Sequence, residues 1–134
     1  MAEELIRASD SKLNFGDYTL EVKAKQSGFD FNGGVYKVKT CKEITKLERN
    51  ELFVYESVPG TKVEEFDLGD TSVEFSVKGF TDTQITLEME EEQEYEVIID
   101  GNSTGTMKTN LGGKLSFSVD LSEAEKKVLI KKQS

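Results

Sequence analysis

The residues that could do chemistry in this chain are carboxylates, tyrosines and one thiol, because histidine is absent from all 134 positions. Without histidine there is no Ser-His-Asp or Cys-His pair, and no imidazole can ligate zinc, iron or copper. The single cysteine, Cys41, has Lys39 and Lys42 nearby, which favour a thiolate only slightly. We expect Cys41 to be a small residue of the core or the surface. The set of reactive residue types in this chain therefore favours a protein that is not an enzyme.

A run of acidic residues lies in the second half of the chain, and its members are Glu88, Glu90, Glu91, Glu92, Glu94 and Glu96. Such carboxylates could serve a glycosidase pair or bind calcium. The glycine-containing spacing of a calcium loop is absent, however, and a row of like charges on a strand is normally a solvated face. We therefore expect no metal site, no cofactor and no catalytic residue. Carboxylates distant along the chain could still meet in the fold, so an enzyme that uses only carboxylates or tyrosines stays as a less favoured alternative.

The aromatic side chains are the remaining recognition candidates. Most of them fall on alternating positions, which is typical of core packing. These are Tyr18, Phe29, Phe31, Tyr36, Phe53, Tyr55, Phe75, Tyr95 and Phe117. Phe80 follows Gly79 in a turn, so we expect it to be the exposed one. The sequence assigns no other binding residue.

The net charge of the chain limits which classes of binding partner are expected. Twenty-six acidic residues against 17 basic ones give a net charge of -9, which is the wrong sign for holding a phosphate backbone or an anionic membrane surface. Neither Gly33-Gly34 nor Gly112-Gly113 belongs to a phosphate-binding loop. The amino terminus lacks the features of a secretory signal, and a lone cysteine suits a reducing compartment. We expect a cytoplasmic protein without nucleic-acid or membrane partners.

Alternation of apolar and polar residues predicts five strands in the second half of the chain. They are Ser72 to Val77, Gln84 to Met89, Tyr95 to Ile99, Leu115 to Val119 and Val128 to Ile130. Turn residues separate them, among them the Asp100-Gly101 pair. Ser122 and Glu125 have the spacing of a capping box, which predicts one helical turn at most before the last strand.

The first half is also strand-like. Tyr18, Leu20 and Val22 alternate with polar residues, and Phe29 and Phe31 precede a hairpin turn predicted at Gly33-Gly34. Further strands are predicted at Val35 to Thr40 and Leu52 to Val58. The segment from Cys41 to Asn50 is ambiguous, because its apolar residues have helical spacing, while Ile44-Thr45 is β-branched and the next strand needs an antiparallel neighbour. We favour a hairpin there.

Several short strands at this spacing predict an all-β protein, a β-sandwich of immunoglobulin-like or jelly-roll-like type, with an N-terminal set of strands packed on it or extending it. Pro59-Gly60 predicts a tight turn before Val63 to Phe66. The polar stretch from Asp67 to Thr71 is the best candidate boundary, between an N-terminal β-rich segment (1–67) and a C-terminal sandwich module (68–134). One continuous domain, 1–134, is the alternative.

Two resemblances accompany these patterns. The stretches Tyr95 to Gly101, Gly105 to Thr109 and Gly113 to Val119 resemble the β-sandwich accessory modules of bacterial polysaccharide-processing enzymes. The whole chain, with Val35 to Thr40, Glu43 to Leu47 and Leu52 to Thr61, is similar to small proteins of clostridial gut bacteria that carry the genome label endosialidase. That label implies arginines that grip a sialic carboxylate and a tyrosine nucleophile, whereas this chain has only Arg7 and Arg49, so no catalytic residue is carried over.

Together these observations favour a non-catalytic protein that interacts with a protein partner or assembles with copies of itself through strand edges and exposed aromatics. A carbohydrate-binding accessory module is the alternative, implied by the resemblance of roughly the last sixty residues of the chain. The absence of tryptophan counts against it, because flat exposed aromatics are the usual platform for sugars.

Overall fold

The protein is all-β in the computed structural model, which describes residues 5–9, 11–69 and 71–133. The described residues form two antiparallel sheets packed face to face as a β-sandwich, and they contain no helix. In chain order the strands are β1 (Ile6–Ser9), β2 (Lys12–Phe15), β3 (Ala24–Phe31), β4 (Gly34–Thr40), β5 (Thr45–Arg49), β6 (Leu52–Val58), β7 (Lys62–Leu68), β8 (Ser72–Lys78), β9 (Thr83–Glu88), β10 (Glu94–Ile99), β11 (Asn102–Lys108), β12 (Lys114–Val119) and β13 (Lys126–Lys132).

One sheet has seven strands in the order β1-β2-β7-β8-β13-β10-β11. Its central strands show the period-two pattern most clearly, since Val73, Phe75 and Val77 of β8 are buried between half-buried polar neighbours. Val128 and Ile130 of β13 repeat the pattern beside them. Because alternate side chains of a strand point to opposite faces, these residues line the inner face of the sheet.

The other sheet has six strands in the order β12-β9-β6-β5-β4-β3. Its inner face carries Val38, Leu47, Tyr55, Ile85 and Leu87, each at most 1% exposed. Both sheets therefore contain strands from the first and the second half of the chain.

Four aromatic rings hold the centre of the core together. Tyr55 of the six-stranded sheet contacts Phe15, Phe66 and Phe75 of the seven-stranded sheet, with ring centroids 5.3, 6.3 and 5.8 Å apart and edge-to-face planes. Such pairs contribute about 0.5–1.5 kcal/mol beyond the burial of their area. The predicted core role of Tyr55 and Phe75 is thereby confirmed.

The loops fall into two groups at opposite ends of the sandwich. The loops 16–23, 41–44, 59–61, 79–82, 100–101 and 120–125 lie at one end, which we call the first end. The register of both sheets requires this grouping, because Val58 is opposite Gln84 in one sheet and Lys62 is opposite Lys78 in the other. Short connections at 59–61 and 79–82 carry the chain from one sheet to the other there.

The strands predicted in the second half of the chain are confirmed as β8, β9, β10, β12 and β13, with bounds that differ by a few residues at most. The hairpin turn predicted at Gly33-Gly34 lies one residue earlier, at Asn32-Gly33. Both residues have positive φ, 46° and 77°, which is the conformation of the favoured two-residue hairpin turn.

The strand predicted from Tyr18, Leu20 and Val22 is wrong, because 16–23 is a loop and Val22 is 79% exposed. Gly16 turns the chain with a φ of 94°. The Asp17 side chain then accepts a 2.9 Å hydrogen bond from the Thr19 amide. This local bond competes with ladder pairing and holds the segment in a turn.

The segment from Cys41 to Asn50 is a connection followed by β5, which pairs with β6, so the favoured hairpin is confirmed and the helix is excluded. The single turn considered at Ser122 to Glu125 is not helical. Instead, Asp120 accepts hydrogen bonds from the amide and the hydroxyl of Ser122, at 3.0 and 2.6 Å.

Strand β11 has no counterpart among the predicted strands. All seven of its residues are exposed, so no apolar alternation marks it in the sequence. The described part of the chain also contains no helix that is long and apolar enough to span a membrane.

Candidate functional site

A buried network of hydroxyl groups lies under the first end. The Thr61 hydroxyl is 2.8 Å from the Tyr55 hydroxyl and 2.7 Å from that of Ser57. Thr45 donates to the Thr61 carbonyl at 2.9 Å and also contacts the Thr40 hydroxyl at 2.8 Å. All five side chains are fully buried, and burial raises the pKa of the Tyr55 phenol while its hydrogen bonds to Thr61 and Ser57 oppose that shift. Every hydroxyl group in the network has a hydrogen-bond partner, and the network holds the loops of the first end in place.

The loop after β2 is attached to this network. The Asp17 amide donates to the Thr40 hydroxyl at 2.9 Å, and the Gly16 amide donates to the Leu5 carbonyl at 3.0 Å. A Cβ atom at position 16 would lie 2.4 Å from the Thr61 carbonyl oxygen. Only glycine allows this approach, and the approach sets where Tyr18, two residues further along, can reach.

Tyr18 and Phe80 form an aromatic pair at the first end. Their ring centroids are 4.7 Å apart with perpendicular planes. Phe80 is 57% exposed, as the sequence predicts, whereas Tyr18 is half-buried. Sequence reasoning misses the partnership because the two residues come from loops 16–23 and 79–82, far apart along the chain.

A polar cavity of about 320 Å³ opens beside Tyr18, and we call it the basic cavity. Its wall includes the cationic side chains of Arg7, Lys62 and Lys78 together with Asp17. Lys62 and Lys78 are directly opposite each other on β7 and β8. None of the ion pairs formed by residues 5–9, 11–69 and 71–133 includes any of these three cations. The sequence shows no signal for this site, because its members come from four different segments.

Two carboxylates do meet in the fold at the first end. Asp82 and Asp120 share a hydrogen bond, which raises the pKa of Asp82, with their mutual repulsion as a second cause. The pKa of Asp120 is lowered, chiefly by its bonds to Ser122 and then by the bond to Asp82. Both groups are exposed to solvent. A hydrogen-bonded pair is closer than the carboxylates that flank a glycosidic bond, which are about 5 Å or more apart.

The acidic run does not form a row, because loop 89–93 interrupts it between β9 and β10. Glu88 pairs with Lys114, and Glu90 pairs with Lys132. Among the described residues no group of three or more carboxylate or thiol side chains is placed to hold a metal ion. Cys41 is buried, 5% exposed, in agreement with a structural role.

Three lysines form a row across the outer face of the six-stranded sheet. Lys39 of β4 is directly opposite Lys25 of β3 on one side and Lys46 of β5 on the other. Only Lys46 of this row has an ion-pair partner within the described ranges, Glu48 at 3.7 Å. Like charges directly opposite each other on neighbouring strands are unfavourable.

The four edge strands differ in how they are protected from pairing with another chain. β1 has four residues, and β3 and β11 each contain a register shift and a positive-φ glycine, Gly28 and Gly105. β12 pairs with β9 in an uninterrupted register over all six of its residues. Its only charge is Lys114, at its first position. Because short strands, bulges and charges are the usual defences of an edge, β12 is the least protected.

A comparison of the chain with protein-family models, with curated proteins and with solved structures found no match.

Proposed function

We propose that this chain is a non-catalytic interaction protein that adds a strand, from a second copy of itself or from a protein partner, along β12. The carrying observation is the regular, almost uncharged edge of β12. In an antiparallel ladder alternate residues direct their N–H and C=O groups away from the neighbour, so an edge strand offers a ready template.

The side chains of β12 suit such pairing. Leu115, Phe117 and Val119 face inward and are at most 5% exposed, so they already belong to the core. Ser116 and Ser118 face outward and are exposed. A partner strand therefore meets small polar side chains on one face, and backbone hydrogen bonds supply the affinity.

The charge at position 114 favours an antiparallel arrangement of two copies. If two β12 strands pair antiparallel about Ser116, each Lys114 lies opposite a Ser118 of the other copy. A parallel pair in register would place the two Lys114 side chains opposite each other, which is unfavourable. The antiparallel pair is also the twofold arrangement that is common in homodimers.

Light scattering across a concentration series tests the proposal. The unchanged chain is expected to form a dimer or larger assembly, and Ser116→Lys/Ser118→Lys is expected to be a monomer, because lysines would then face lysines across the new pair. Ser103→Lys/Thr106→Lys on β11 is the matched control, since it adds the same charge to an exposed edge of the other sheet. A monomer at every concentration contradicts self-pairing. Loss of assembly only in the β11 variant assigns the interface to that edge instead.

A carbohydrate-binding accessory module is the second proposal, and the packing of the exposed Phe80 against the half-buried Tyr18 favours it. Aromatic side chains present a flat apolar body to a sugar ring. Screening against a glycan array with the unchanged chain and with Phe80→Ala tests it. Binding that depends on Phe80 supports a sugar platform at the first end, whereas an array without any signal removes this proposal.

A further inference from the structure

The basic cavity concentrates positive charge on a protein of net charge -9. Lys62 and Lys78 are opposed across β7 and β8, where the side chains of a cross-strand pair start only about 5 Å apart. Arg7 approaches from β1, where it is opposite Asn14. Three cations around one concavity repel one another unless something negative lies between them, and the described residues offer them no ion-pair partner.

The one acid on the cavity wall is already engaged. An Asp17 side-chain oxygen accepts hydrogen bonds from both the amide and the hydroxyl of Thr19. Asp17 therefore closes its own turn, and one of its two carboxylate oxygens is occupied by these local donors. Asn14 is also fixed in direction, because its side-chain oxygen accepts from the Glu65 amide at 3.0 Å, which leaves its NH₂ group as the donor end.

The wall of the cavity is held in place before any ligand arrives. Gly16 and Asp17 are bonded to Leu5 and Thr40, and Thr40 belongs to the buried hydroxyl network. Tyr18 packs against Phe80. A site whose groups are already ordered loses little conformational entropy on binding, so a small ligand can bind with useful affinity.

We propose that the basic cavity binds a small organic anion, with a carboxylate or phosphate held by Arg7, Lys62 and Lys78 and with the body of the ligand against Tyr18. The volume of about 320 Å³ lies at the lower end of small-molecule sites, which suits a molecule of monosaccharide size. The guanidinium of Arg7 can take a carboxylate or phosphate through two parallel hydrogen bonds, and the lysines add point charges. This site lies on the seven-stranded sheet and does not depend on pairing along β12.

Amide chemical shifts of the full chain, followed by NMR at constant ionic strength, test the proposal. The probes are inorganic phosphate, glucuronate and uncharged glucose. Phosphate and glucuronate are expected to shift the amides of Gly16, Asp17 and Thr19 saturably, and glucose is expected to cause no shift there. Shifts from both anions that never saturate, or that spread evenly over all lysines, would overturn the proposal.

Variants separate the cavity from general charge effects. Lys62→Gln and Lys78→Gln are each expected to lower the affinity for both anions about tenfold, because a hydrogen bond to a charged group is lost. Lys25→Gln is the matched control, with the same charge change on the other sheet, and is expected to leave affinity unchanged. An equal loss in the control refutes a specific site. Arg7→Gln repeats the test from β1, and the dispersion of the spectrum verifies that each variant is folded.

The contact with Tyr18 has its own readout. Tyr18→Leu is expected to lower the affinity for glucuronate severalfold and to leave the affinity for phosphate unchanged, because phosphate has no ring to lie against the phenol. If Tyr18→Leu leaves glucuronate binding unchanged, the placement of the ligand body is wrong. If it weakens both anions equally, the substitution disturbs the cavity itself, and the assigned role of Tyr18 fails.

Discussion

The Thr61 hydroxyl oxygen lies 2.8 Å from the hydroxyl oxygen of Tyr55, and neither residue is exposed to solvent. Thr61 belongs to the connection between β6 and β7, whereas Tyr55 is at the centre of the aromatic core. One hydrogen bond thus ties the interior of the sandwich to the loops that carry the basic cavity. A hydroxyl group is needed at position 61 because it also contacts the hydroxyl of Ser57.

Thr61→Val is expected to lower the free energy of unfolding by about 1–3 kcal/mol, because it leaves the buried hydroxyls of Tyr55 and Ser57 without their partner. Thr61→Ser keeps the hydroxyl and removes one methyl group, so it is expected to cost only about 1 kcal/mol. Urea denaturation measures both variants. A loss of stability in Thr61→Ser with little or none in Thr61→Val would show that the methyl group, and not the hydrogen bonds, carries the stability.

Alanine substitutions at three glycines distinguish the cost of backbone strain from the cost of a steric clash. Gly33→Ala places a side chain at positive φ in open space and is expected to cost about 1–2 kcal/mol. In Gly60→Ala, the new Cβ would lie 1.9 Å from the Cys41 carbonyl oxygen. Gly16→Ala combines positive φ with the contact to Thr61. We expect Gly16→Ala to lower the thermal midpoint more than Gly33→Ala does, and a smaller effect would mean that the loop after β2 shifts freely.

A substitution in the lysine row is expected to raise the stability of the protein, whereas the substitutions above are expected to lower it. Lys39→Thr removes the cation between Lys25 and Lys46 and is expected to raise the free energy of unfolding by about 0.2–1 kcal/mol at low salt. Lys37→Thr is the control on the same strand, because Lys37 is opposite Glu48 and loses an attraction instead. Denaturation at low and high salt measures both. The gain of Lys39→Thr should shrink with salt, and an unchanged gain would point to strand propensity as its cause.

The Asp82–Asp120 pair predicts a pH dependence. The raised pKa of Asp82 means that its contribution to stability is present at acid pH and is lost as pH rises through that value. The lowered pKa of Asp120 acts in the other direction, and its contribution is lost as pH falls through its own value. The shared proton therefore stabilises the loops best between the two pKa values.

Asp82→Asn tests this assignment, because an amide donates to Asp120 at any pH. The expected result concerns the unfolding free energy of the variant minus that of the unchanged chain. This difference is expected to be more favourable to the variant near neutral pH than in the acid range, where Asp82 of the unchanged chain is protonated and can itself donate to Asp120. Unfolding free energies measured from acid to neutral pH provide the comparison. A difference between the two proteins that stays constant with pH would show that the pair does not share a proton.

Strands with one buried face could be predicted from the sequence, because alternation is a direct consequence of the pleat. Val73, Phe75 and Val77 show it, and they lie in β8. Strand β11 could not be predicted, since Asn102–Lys108 is exposed on both faces and has no apolar period. At Tyr18 and Val22 the alternation is misleading, because the Asp17–Thr19 turn prevails over it.

The candidate sites were harder to predict than the fold, for a geometric reason. Lys62 and Lys78 are ordinary surface lysines in the sequence, and only the pairing of β7 with β8 makes them neighbours. The same holds for Asp82 and Asp120, whose loops meet because both lie at the first end. Phe80 is the exception, since its turn position already predicts exposure.

The place of β13 in the middle of the seven-stranded sheet affects how the protein can be synthesised. β13 pairs with β8 on one side and with β10 on the other. Until residues 126–132 leave the ribosome, β8 and β10 have no strand between them, and the backbone edges that face β13 stay unpaired. We therefore expect folding to be completed only after this last strand emerges, with a need for chaperone protection during translation that a chain with its central strands first would not have.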